Sequence, residues 1–191
     1  MSLDYCKIAG RNNYDISSYT YAVMVLYCEE KCLGRIKASR ILGLPERLIR
    51  RILDELVTKD LLVRNGKNTC ISEKVLVILP RIHRVKHGKY WITSYNVVDT
   101  RVLKNIKEHV TGFRDLLLLH TGDPRAFEVI GVMDGELVFP GVPDELSHRY
   151  SELISNTRIM KNREPGIVIV WNNYKPFIYD GYVLDSICRL G

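Results

Sequence analysis

The apolar positions of this chain recur first at helical spacing and later in short β-like runs. From Tyr19 to Glu29 the segment is apolar enough for a buried helix, with Ser17 or Ser18 as its cap. After Gly34 the run RIKASRILGL spaces Ile36, Ala38, Ile41 and Leu42 for a short helix that Gly43 ends. Pro45 suits the first turn of the next helix, because its missing N–H would have no partner there. In ERLIRRILDELVTKD, the residues Ile49, Ile52, Leu53, Leu56 and Val57 form one core-facing stripe. Glu46, Arg47, Arg50, Arg51, Asp54 and Glu55 then point outward. LLVRN and TCIS, on either side of Gly66, Lys67 and Asn68, predict a β-hairpin.

Beyond residue 90 the pattern predicts a mixed α/β domain. YWITSYNVV reads as a strand, 101–110 as a helix, and DLLLLH and FEVIGVM as buried strands. Asp134-Gly135 is a hairpin signal leading into ELVFPG. A helix over 143–155, the strand IVIVW after Gly166, a loop through Asn172 and Asn173 and a terminal helix from about Tyr182 complete the expected order. The stretch 73–89 is a connector, either a helix broken near Pro80 or an extended linker. The expected fold class is thus α/β (α+β), with an N-terminal domain over 1–72 and an α/β domain over 90–191. The N-terminal domain is expected to fold without residues 90–191.

Helix, helix, tight turn, helix and hairpin is an order with a family likeness. Over residues 17 to 72 the phrase IKASRILGLPERLIRRILDELVTKDLLVRNG resembles winged helix-turn-helix regulators, with Ala38 inside the second helix and Gly43 in the turn. The chain as a whole, through DGELVFPG and GIVIVW, is similar to archaeal winged-helix proteins whose C-terminal domain has no assigned function. The resemblance implies a DNA-binding transcriptional regulator and supplies no catalytic residues.

Charge sharpens this expectation. Of 191 residues, positions 1–89 hold 17 basic and 9 acidic side chains, net +8, while 90–191 are net −2. A basic domain joined to a near-neutral one suits a polyanion binder with a regulatory or assembly domain, although a solubilising surface has the same composition. Arg47, Arg50 and Arg51 can share the exposed face of the third helix, where a guanidinium fork can grip guanine or phosphate. Against this stand the intrahelical pairs Glu46 with Arg50 and Arg51 with Glu55, each contributing only about 0.3 to 0.5 kcal/mol. Arg64, Asn65, Lys67 and Asn68 form the expected wing tip, and Lys37 and Arg40 of the second helix are candidate phosphate contacts.

Other chemistry is sparse. His83, His87, His109, His120 and His148 are scattered, and His120 with Asp123 reads as a turn rather than a site. Cys6, Cys28, Cys32, Cys70 and Cys188 contain no CxxC pair, so reduced thiols are expected; Cys28 and Cys32 are weak candidates for metal ligands. No apolar run is long enough to span a bilayer, and a cytoplasmic protein without a cofactor follows as the expectation. The expected partners are double-stranded DNA, a second copy of the chain and a small-molecule effector. An enzyme with its active site in the α/β domain, or a protein–protein interaction module, is the alternative.

Overall fold

The computed structural model of the protein describes residues 4–8, 14–159 and 164–190. It is a mixed α+β fold with two antiparallel sheets, and the chain divides into two compact units. Of the described residues, the first unit comprises those from 4 to 79 together with 175–185, and the second comprises those of 80–174 together with 186–190.

In the first unit every residue from Tyr21 to Tyr27 of helix α1 (Tyr14–Glu30) is buried, as expected of a helix apolar on all sides. Strand β1 (Cys32–Leu33), helix α2 (Arg35–Leu42) and helix α3 (Glu46–Thr58) follow. Ile49, Ile52, Leu53 and Leu56 of α3 are buried, and Val57, placed on the same stripe, is half-buried. On α2 only Ala38 and Leu42 are buried; Ile36 and Ile41 stay 58% and 39% exposed. Strands β2 (Leu62–Asn65) and β3 (Asn68–Ile71) make the hairpin, and β1 joins it on the far side of β3. Cys32 pairs with Cys70 across β1 and β3, and their sulfurs form a disulfide, which corrects the expectation of reduced thiols. Widely separated cysteines carry no local signal of their pairing, and β1 is too short to be seen in the sequence.

The stretch 73–89 holds a short helix that stops near Pro80, as the first of its two expected forms has it, and then a strand of the second sheet. Helix α4 (Glu73–Ile78) ends at Leu79, ahead of Pro80, and β4 (Ile82–His87) then opens the second sheet. Gly88, at φ +58°, turns β4 into β5 (Tyr90–Asn96). Four of the basic residues counted in the N-terminal half, Arg81, Arg84, Lys86 and Lys89, therefore belong to the second unit. Their strand is an outer one, where charge discourages edge-to-edge pairing.

Helices α5 (Thr100–Glu108) and α6 (Val110–Thr121) come next, then β6 (Phe127–Asp134), β7 (Glu136–Val138), α7 (Asp144–Ser155), β8 (Gly166–Trp171) and α8 (Ile178–Leu190). The strand order is β4-β5-β8-β6-β7, with every neighbour antiparallel. The DLLLLH run, expected as a strand, lies in α6, with Phe113 and Leu117 buried one turn apart and Leu119 80% exposed. Four leucines in a row fit either period, and Gly122 in the left-handed region ends the segment as a helix. Strand β8 is buried at every position, and Ile92, Val129, Ile154, Val168 and Val170 form a core cluster on one side of the sheet. Helix α5 packs on β6.

Helix α8 begins four residues before the expected start, and its first part lies in the first unit. There a Cβ on Gly181 would stand 2.3 Å from the Ser18 carbonyl oxygen and 2.8 Å from the Ala22 nitrogen, so glycine permits the contact with α1. Ser17 Oγ donates to Asp185 Oδ1 at 2.6 Å in the same interface. Among the described residues no helix is long and apolar enough to cross a membrane.

Candidate nucleic-acid interface

The α2–α3 corner is built by three residues. Gly43 adopts φ +65°, which ends α2 at little steric cost, and Pro45 supplies the extended residue before α3. Ser39 Oγ donates to the Leu44 carbonyl at 2.6 Å and pins the turn between them.

On α3 the outward residues divide by whether they already have a partner. Glu46 takes Arg35 Nε at 2.7 Å and Arg50 Nη2 at 3.9 Å, so the expected Glu46–Arg50 pair forms and Arg35 joins it. The expected Arg51–Glu55 pair does not form: Glu55 holds Lys59 at 2.7 Å, and Lys59 also donates to the Ile8 carbonyl at 2.6 Å. Asp54 pairs with Arg64 of β2, and Lys37 lies 3.6 Å from Glu30. Among the described residues no carboxylate pairs with Arg40, Arg47, Arg51 or Lys67, and all four are exposed.

The hairpin tip turns at Gly66, with φ +58°, and Asn65 faces Asn68 in register. The Asn68 Oδ1 lies 3.3 Å from where a Gly34 side chain would begin, so this amide covers the start of α2 while Asn65 and Lys67 project from the tip. The nine residues expected at the interface thus separate into three classes. Arg40, Arg47, Arg51 and Lys67 are unpaired, Lys37, Arg50 and Arg64 are tethered by carboxylates, and Asn65 and Asn68 are wing amides of which one is engaged within the unit. Exposed tethers of this kind contribute about 0 to 1 kcal/mol and exchange readily for a phosphate.

The cysteines offer no metal pair, because Cys32 is in the disulfide. Burial pushes the Cys28 thiol up to about 11, so it stays protonated and unreactive near neutral pH. In the second unit His120 lies in the last helical turn of α6 and Asp123 follows the Gly122 cap, where it accepts from the Arg125 backbone N–H at 2.9 Å, so of the expected turn only the Asp123 end is non-helical.

No family model matches the chain, and comparison with curated proteins gives no match. Among solved structures it is similar to a hypothetical protein from Pyrococcus horikoshii OT3, with 18% identity over 90% of this chain and 91% of that one and a TM-score of 0.54. The likeness extends the shared fold through both units and carries no statement about activity.

Proposed function

We propose that the first unit is a winged helix-turn-helix that binds duplex DNA, and that the protein is a transcriptional regulator whose second unit binds an effector, mediates dimerisation, or both. The observation that carries this reading is the set of unpaired cations on three successive elements: Arg40 on α2, Arg47 and Arg51 on α3, and Lys67 at the hairpin tip. In helix-turn-helix docking the second helix crosses the phosphate backbone, the N-terminal part of the third enters the major groove and a wing reaches adjacent phosphates. The resemblance of residues 17 to 72 to winged-helix regulators supports the same assignment.

A regulator of this kind works in the cytoplasm.

Four unpaired cations predict a defined salt dependence. With about four phosphates neutralised, log affinity should fall against log salt with a slope of roughly −3 to −4, read by fluorescence anisotropy on a labelled genomic duplex. Arg47→Ala should weaken binding to a selected site by about 1 to 3 kcal/mol. Arg50→Ala should cost less, because Glu46 already holds that guanidinium. Affinity flat across the salt range would defeat the reading. The exposed Ile36, Ile41 and Val63 favour a protein partner as the second reading, and salt-insensitive binding lost on Ile36→Ser would support it.

A further inference from the structure

The second unit contains a cavity of about 180 Å³ at an irregularity of its sheet. The pairing of β6 with β8 slips between Phe127 and Val129, which makes Glu128 the extra residue of a bulge. Bulges re-aim side chains and recur beside binding sites. The buried Phe127, Val129 and Ile130 wall the cavity together with Val142, while Arg114 of α6 and Glu128 line it with opposite charges.

These two charges share a cavity without neutralising each other. Among the described residues Arg114 has no carboxylate partner, and Glu128 accepts only a hydrogen bond, from the Tyr150 hydroxyl at 3.3 Å. A cation and an anion beside one apolar wall are complementary to a molecule that carries both charges and a small apolar group. We propose that this cavity binds a free α-amino acid with a branched aliphatic side chain. Arg114 takes its carboxylate in a bidentate pair, Glu128 takes its ammonium, and Val129 and Val142, which pack on the same side of the sheet, receive the side chain.

Size and charge narrow the choice further. A cavity of roughly 150 Å³ holds a benzene molecule, so this one admits a valine- or leucine-sized ligand and excludes a nucleotide. A purely apolar ligand would draw nothing from either charge, and a dicarboxylate would be repelled by Glu128.

The inference rests on the reading of the second unit as effector-binding, and its test is kept separate from DNA. Calorimetric titration of the full-length protein with L-leucine and L-valine, in the absence of DNA, should give saturable binding. Isovalerate, which lacks the ammonium, and isobutylamine, which lacks the carboxylate, should bind at least tenfold more weakly. Arg114→Gln and Glu128→Gln should each raise Kd about tenfold or more, because each deletes a charge-assisted hydrogen bond. Both side chains are exposed, so unchanged circular dichroism is expected and separates lost binding from lost folding. Absence of saturable heat with either amino acid at millimolar concentration would overturn the proposal. So would binding that both variants leave intact. Amino-acid binding by a protein that ignores DNA keeps this proposal and removes the DNA reading; DNA binding without amino-acid binding does the reverse.

Discussion

Strand β2 of the small sheet is exposed at three of its four positions, whereas β8 of the large sheet is buried at all six. A three-stranded sheet at the margin of a helical unit cannot cover itself, so it depends on the helices behind it and on the Cys32–Cys70 bond. In return its outward side chains stay available to a partner. A central strand has no free surface, and the chemistry of its unit gathers where the ladder is irregular, at the Glu128 bulge. Recognition across an exposed surface in one unit and in an open cavity at a sheet irregularity in the other follow from the same physics of burial.

The contrast is tested most severely at Trp171, fully buried, with its Nε1 donating to Thr93 Oγ1 at 2.8 Å. Trp171→Ala should cost about 3 to 5 kcal/mol, from the cavity and the stranded hydroxyl together, measured by chemical denaturation. A loss below 1 kcal/mol would mean that β8 is not the anchor of its sheet. Less severe is Gly181→Val, which drives a Cβ toward the Ser18 carbonyl and should cost about 1 to 3 kcal/mol. Because that contact lies in the first unit, protection of the α1 amides from hydrogen exchange should fall before that of β8. The smallest effect belongs to Val63 of β2, which is 54% exposed. Val63→Ser should change stability by no more than about 0.5 kcal/mol, and a larger loss would show that the small sheet is more buried than its strands suggest.

How far these differences can be read from the sequence depends on how each element announces itself. The stripe of α3 has an unambiguous period, and its arginines point outward as that period requires. The apolar run after Gly166 and the Asp134-Gly135 turn were equally legible, the first from continuous β-branched residues and the second from glycine's freedom at φ +77°. The LLLL run of α6 was not, because unbroken apolarity carries no period. Strand β4 hid behind its charge: HRVKH reads as a basic connector, and only its pairing with β5 makes it a strand. The packing of α8 was hidden for the opposite reason, since Asp180, Gly181 and Asp185 look like exposed positions and are buried or in close contact. At the candidate interface the positions were legible but the partners were not. Arg64 meets Asp54 and Arg35 meets Glu46 from other elements, at separations that helical spacing cannot describe.

The first unit is interrupted in sequence: its described residues from 4 to 79 are completed by 175–185, and the whole of 80–174 lies between the two pieces. During synthesis, therefore, the helices and hairpin of the first unit emerge early but lack the segment that Ser17, Ser18 and Ala22 contact. At a translation rate of about 5 to 20 residues per second, that segment follows only after roughly 5 to 20 s. In that interval the surface of α1 that meets Gly181 waits uncovered, and the large sheet remains two hairpins, β4–β5 and β6–β7, until β8 (Gly166–Trp171) is made to join them. Both units are therefore sealed by the last part of the chain, the second by β8 and 186–190 and the first by 175–185. A nascent chain stalled before residue 166 would consequently carry two separate hairpins of the large sheet and a helical unit still open to chaperones and proteases.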